Sequence, residues 1–213
     1  KQVMLHVLTR DLAGLSDLDD VMRSMTALAE IAVRHAQALT MKDMVGQFGQ
    51  PVGAESGTLQ ELLVIGMGKL GGGELNVSSD IDLIFVYPED GDTNTKGRQS
   101  TDQQAGRGID TGARTLSNHE FFSRLGRKLI ALINDLTADG FVFRVDMRLR
   151  PYGDSGPLVM SFAALEEYLV SQGRERERYA WIKARVISPA DCPQTAELMR
   201  LADERQEAIK EAR

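Results

Sequence analysis

A stretch too short to hold a packing helix separates two apolar runs, and it limits the folds open to this chain. Glu61 to Met67 contains Leu, Val and Ile and predicts a buried strand. Ile81 to Tyr87 is almost wholly apolar and predicts a second strand, central in a sheet. A glycine-rich loop, Gly66 to Gly73, follows the first run, and Ser78-Ser79-Asp80 leads into the second. Gly66-Met67-Gly68-Lys69-Leu70-Gly71 has the form G-x-G-x-x-G, and the acid Glu89 follows about twenty residues later, as in a dinucleotide fingerprint. Only the twelve residues Lys69 to Asp80 stand between Gly68 and the second strand. A parallel crossover needs a helix of about ten residues plus two turns, so the spacing argues against that fold. A phosphate loop of the G-K-[ST] kind fails outright, because Leu70 follows Lys69.

A third arrangement uses the acids. Asp80 and Asp82 are two apart at the start of a strand, so both carboxylates face one side. Acids this close repel. A divalent cation removes the conflict, because carboxylate oxygens are what Mg²⁺ binds. Phe141 to Met147 alternates, with Phe141, Phe143, Val145 and Met147 on one face and Val142, Arg144 and Asp146 on the other. If that strand lies beside Asp80-Ile81-Asp82, three carboxylates converge as a two-metal phosphoryl or nucleotidyl transfer site. The glycine loop would then wrap phosphate with backbone N–H groups. A strand-end turn or a helix cap is the plainer reading of a D-x-D pair. Lys69, Arg148 and Arg150 add positive charge, as do Lys183 and Arg185 at the end of a predicted helix. Lys96 to Arg150 holds ten Lys and Arg against six Asp and Glu, a locally cationic stretch that suits an anionic substrate.

The rest of the chain supplies helices. The first 45 residues read as helical, with a stripe of Val21, Met25, Leu28, Ala29, Ala32, Val33, Ala36 and Leu39 behind Asp17, Asp19 and Asp20. His6 and His35 need no ligand role. Residues 46 to 60 read as a linker. Residues 88 to 116 lack periodicity and read either as an active-site flap or as a solvated insertion. Ser117 to Glu120 has capping-box spacing ahead of Phe121, Leu125, Leu129, Leu132, Ile133 and Leu136, with Gly140 as the breaker. Three further helices are predicted near 161–172, 175–186 and 193–212. The order of elements predicts an α+β or mixed α/β fold.

Formal charge is −6, which disfavours a sequence-independent nucleic-acid binder. Neither a signal peptide nor an apolar run of membrane-spanning length is visible. The single cysteine, Cys192, excludes an internal disulfide framework and a multi-cysteine zinc site, so a cytoplasmic setting is expected. The chain opens and closes within predicted helix, and a piece of a longer protein is expected.

Gly66-Met67-Gly68-Lys69-Leu70-Gly71-Gly72-Gly73-Glu74-Leu75-Asn76 with Ser78-Ser79-Asp80-Ile81-Asp82-Leu83-Ile84-Phe85 resembles the glutamine synthetase adenylyltransferase / adenylyl-removing enzyme family. Val145-Asp146-Met147-Arg148-Leu149-Arg150-Pro151 and Ser155-Gly156-Pro157-Leu158 carry the same resemblance, which covers roughly residues 60 to 190. The family implies two catalytic halves, each similar to polymerase β-type nucleotidyltransferases. One half attaches AMP to a tyrosine of glutamine synthetase, and the other removes it by phosphorolysis, giving ADP. Ala180-Trp181-Ile182-Lys183-Ala184-Arg185, together with the loop motifs, resembles the N-terminal, adenylyl-removing half. Two departures stand out. Gly71-Gly72 is separated from Asp80 by only seven residues, and Arg176 stands where the family's tryptophan is expected.

The resemblance implies an α+β polymerase β-like core, a small mixed sheet with helices, over residues 51–190. Residues 1–50 would be an N-terminal helical region and 191–213 the start of a C-terminal one. It implies that Asp80, Asp82 and Asp146 hold two Mg²⁺ (or Mn²⁺). Gly71, Gly72, Ser78 and Ser79 would cradle phosphate, and Lys69, Arg148 and Arg150 would offset its charge. Implied partners are adenylylated glutamine synthetase, inorganic phosphate and ADP, and the PII signal protein, with neither nucleic acid nor membrane.

Overall fold

A computed structural model describes residues 1–94, 115–138, 140–172 and 179–189, with residues 195, 196, 198 and 200 beyond them. Its architecture is α+β. Two helices open it, α1 (Gln2–Leu12) and α2 (Leu18–Phe48). The Asp17 side chain caps α2 by accepting from the Asp20 amide at 2.7 Å. Val21, Met25, Ala29, Val33 and Ala36 form its buried stripe, which continues through Gln37, Thr40 and Met44. Leu39 is exposed, contrary to the predicted stripe, because a period of 3.6 carries the buried face to Thr40 instead. Gly49, at φ 84°, ends the helix.

The expected linker contains β1 (Gln50–Gly53), which pairs antiparallel with β4 (Gly91–Asn94) in a small separate sheet. Between them come β2 (Leu63–Gly66), the one-turn α3 (Gly68–Gly71) and β3 (Ile81–Tyr87). After α4 (Asn118–Asn134) follow β5 (Val145–Asp146), β6 (Val159–Ser161), α5 (Phe162–Ser171) and β7 (Arg185–Ser188). The main sheet runs β5-β3-β2-β7, with β6 also on β3. β2 is antiparallel to β3 and β7, whereas β3 is parallel to β5 and β6.

Both faces of this sheet are covered, which explains why β3 beyond Asp82 is apolar rather than alternating. Val64, Leu83, Phe85 and Tyr87 pack with α2 and α4. Leu63, Ile65, Ile84 and Val86 pack with Phe162, Leu165, Leu169 and Trp181 on the other side. Thus α2 belongs to the same apolar core as the sheet. Gly126 lets α4 approach β3, since a Cβ there would stand 3.0 Å from the Phe85 ring. The Ser117 hydroxyl accepts from the Glu120 amide at 3.2 Å, the cap that the capping-box spacing predicts.

Three sequence expectations change. The alternating segment Phe141 to Met147 pairs only at Val145–Asp146. Before it, the amides of Val142 and Phe143 both donate to the Ile133 carbonyl, so this stretch is tied to the end of α4 instead of to a strand. That helix ends at Asn134, ahead of Gly140, and leaves Leu132 and Leu136 exposed. The helix expected at 175–186 is replaced over Arg185–Ser188 by β7, because the open edge of β2 takes up its backbone groups. The unpatterned 88–116 stretch contains β4, and its residues 95–114 lie outside the described residues, as do Arg176 and most of the predicted 193–212 helix. No helix among the described residues is long and apolar enough to cross a membrane.

Asn118 joins the small sheet to α4. It is fully buried, and its Nδ2 donates to the carbonyls of Val52 at 3.0 Å and Glu89 at 2.9 Å. Asn118→Ala removes the donor from both part-buried carbonyls. Urea unfolding should show a loss of about 1–3 kcal/mol.

Candidate active site

The parallel β3–β5 pairing places Asp82 opposite Asp146. The Ile81 amide donates to the Arg144 carbonyl at 2.9 Å and sets that register. Two acids side by side on neighbouring strands leave a trace in their ionisation. Burial, then the charges of Asp146 and Asp80, push the Asp82 carboxyl above the usual carboxylate range. Asp146 moves the other way, held down by hydrogen bonds from Arg148, whose amide and Nε both reach its carboxylate at 2.8 Å. Asp80 precedes β3 and accepts from Arg144 Nε at 2.6 Å. The register therefore brings Asp82 and Asp146 together, while guanidinium groups hold Asp80 and Asp146. Among the described residues no three His, Cys, Asp or Glu side chains form a cluster ready to hold a metal ion, although the charges of both Asp146 and Asp80 act on Asp82. The donor set nonetheless fits a hard divalent cation, with oxygen ligands throughout and an acid destabilised by like charge.

The glycine loop stands beside these acids. The Met67 amide donates to the Asp82 carbonyl at 2.9 Å. Gly68 has φ 52°, and a Cβ there would lie 2.8 Å from the Asp82 carboxylate. Both the backbone conformation and the close approach demand glycine. Gly71 is more confined still: a Cβ would stand 1.9 Å from the Lys183 carbonyl and 2.4 Å from that of Gly66.

The amides of Gly71 and Gly72 already donate within the turn, to Met67 and Gly68 carbonyls at 3.0 and 3.1 Å. These glycines shape the loop by their small size; their N–H groups are engaged, unlike the phosphate donors expected. Ser78 and Ser79 are gathered by Asn76, whose Oδ1 accepts from the Ser79 hydroxyl at 2.6 Å and the Ser78 amide at 3.2 Å. Lys69 is exposed, and its charge acts on Asp82. Arg150 donates Nη1 to the Met147 carbonyl at 2.8 Å, and its buried Nε has no hydrogen-bond partner. It follows Asp146 across a turn, not along a continued strand.

Some contributors were not singled out from sequence. Arg144 was visible only as a polar-face residue, with no sign of its pairing to Asp80. Asn76 was legible as part of a motif but not as the acceptor that gathers both serines. Glu89, the acid of the discarded fingerprint, has a structural post: its carboxylate accepts from the Ser56 amide at 3.0 Å, over the space left by Gly53.

A glycine loop against paired strand acids is a geometry that can be compared with known families. The profile of glutamate-ammonia ligase adenylyltransferase matches residues 1–200. The chain belongs to this family. It is 58% identical over 198 residues to the bifunctional glutamine synthetase adenylyltransferase/adenylyl-removing enzyme of Chromobacterium violaceum, covering 93% of this chain and 20% of that protein. The like-named proteins of Nitrosomonas eutropha and Neisseria meningitidis serogroup A are 53% identical over 203 residues and 51% over 189. These alignments cover 94% and 89% of this chain, and 20% and 19% of those relatives. This adenylyltransferase-family chain thus spans about one fifth of the length of those relatives. Membership accords with the α+β fold and the loop motifs.

Two outcomes follow for this family member. Asp82 binds its proton more tightly folded than unfolded, so the charged form opposes folding as pH rises through its raised value. Asp82→Asn should therefore raise the melting temperature at pH 7, and the gain should vanish as pH falls below the ordinary carboxylate value of about 3.9. Differential scanning calorimetry across pH checks this. Gly71→Ala, which drives a methyl into two backbone carbonyls, should lower stability by about 3 kcal/mol in chemical unfolding.

Proposed function

We propose that this chain carries the adenylyl-removing site of its family: it transfers AMP from a tyrosine of glutamine synthetase to inorganic phosphate. The juxtaposition of Asp82 and Asp146 beside the glycine loop carries the reading. A phosphate oxygen forms a bond to the AMP phosphorus, the bond from phosphorus to the tyrosine oxygen breaks, and ADP leaves. The phenolate, with a conjugate-acid pKa near 10, then takes a proton. Asp82 and Asp146, with Asp80 at the start of β3, are the residues that would hold Mg²⁺ or Mn²⁺. Bound there, a divalent ion supplies Lewis-acid charge toward the transferring phosphoryl group.

The chain's own groups account for the rest of the role. Arg150 lends positive charge beside Asp146, whose carboxyl it helps to hold down, and such charge suits an anionic oxygen. Lys69 and Arg148 add charge at the mouth of the site. Gly68 admits the Asp82 carboxylate close to the loop backbone. Ser78 and Ser79, held by Asn76, line the approach to β3. Adenylyl removal, as opposed to adenylylation, is favoured by Gly66-Met67-Gly68-Lys69 and Ala180 to Arg185, which resemble the removing half. The reading entails adenylylated glutamine synthetase as substrate, PII as a regulatory partner and a cytoplasmic setting that suits one cysteine.

In the full-length protein, Asp82→Asn should reduce phosphate-dependent ADP release from adenylylated glutamine synthetase by at least about 10²–10³-fold, the scale seen when one charge-stabilising group is removed. Pyrophosphate release from ATP should persist. The reverse pattern would assign this chain to the adenylylating half, and retention of both activities would remove Asp82 from the chemistry.

A further inference from the structure

The glycine loop is fastened from behind by a group that touches none of the acids. Arg185, the first residue of β7, donates Nε to the Gly71 carbonyl at 3.2 Å and Nη2 to the Leu70 carbonyl at 3.3 Å. The same Nη2 lies 2.6 Å from Glu30 Oε1 on α2. The other oxygen of Glu30 receives Arg34 Nη2 at 3.0 Å, and Arg34 Nε donates to the Ile187 carbonyl of β7 at 2.8 Å. A closed ring of charged hydrogen bonds therefore joins α2, β7 and the last carbonyls of α3. The Leu70 carbonyl also accepts from the Gly73 amide at 3.2 Å, so Arg185 adds a side-chain tie to the turn's own closure. The Glu30 side chain is only 16% exposed, so the ring is less screened than a surface pair.

We propose that Arg185 is a positioning residue that sets the glycine loop, and with it the Lys69 side chain, for phosphate, with Glu30 and Arg34 as its anchor on α2. This rests on the nucleotidyl-transfer reading above. The loop has little freedom at either end: Gly71 abuts the Lys183 carbonyl, and Gly68 abuts the Asp82 carboxylate. A shift of α3 therefore displaces the backbone against Asp82. Only a forked guanidinium reaches two carbonyls and a carboxylate together; an ammonium group is a point donor.

The test uses full-length protein and inorganic phosphate as the variable substrate. Arg185→Ala should raise the phosphate KM at least about tenfold while kcat stays within about threefold, and Arg185→Lys should restore little of it. Glu30→Gln should shift KM in the same direction by less, and Arg185→Ala combined with Glu30→Gln should be no worse than Arg185→Ala alone. Hydrogen exchange should quicken at residues 68–73 with β3 unchanged. An unchanged phosphate KM, full rescue by lysine, or faster exchange throughout the sheet would overturn the assignment. Where Arg185→Ala does not fold, Glu30→Gln and Arg185→Lys decide it by the same readouts. Asp82→Asn in the same assay separates the two ideas: if it leaves ADP release intact, the underlying reaction is wrong, whatever Arg185 does.

Discussion

Two like charges placed in register across parallel strands are the constraint around which this structure is arranged. Asp82 faces Asp146 because β3 and β5 pair at these residues, and β3 is fixed in place by core on both faces. Neither acid can withdraw without breaking a strand pairing. The surroundings distribute the charge unequally: Arg148 takes Asp146, Arg144 takes Asp80, and Asp82 is left pushed toward its protonated form. Such a site resists its own folding, and perturbed carboxylates in that position are what functional sites gather.

The loop beside it follows from packing at two glycines. Gly68 must accept a carboxylate against its Cα, and Gly71 must accept two carbonyls. These contacts make the G-x-G-x-x-G spacing a matter of clearance, with no dinucleotide involved. The Gly71 and Gly72 amides are then engaged in a single tight turn.

Legibility in the sequence was uneven for physical reasons. β3 matched its predicted bounds because seven successive residues are largely apolar and the sheet is covered on both sides. α2 and the α4 cap were readable because capping and 3.6-residue periodicity are local. Phe141 to Met147 misled because its alternation is genuine, yet two of its amides are claimed by the Ile133 carbonyl. Residues 185–188 misled for the opposite reason: their strand exists because β2 offers an open edge. The sequence pattern puts Arg185 at the end of a helix, whereas its β7 position lets it reach Leu70, Gly71 and Glu30 at once.

Local order determined the α+β composition, the glycine turn, the strand that bears Asp82 and the family resemblance. All of these depend on residues within a few positions of one another. Tertiary structure alone decided that Asp82 meets Asp146, 64 residues later, while Asp80 is diverted to Arg144. It also decided that α2 reaches the back of the glycine loop through Glu30 and Arg185. Strand pairing and side-chain reach join positions whose separation no local pattern encodes.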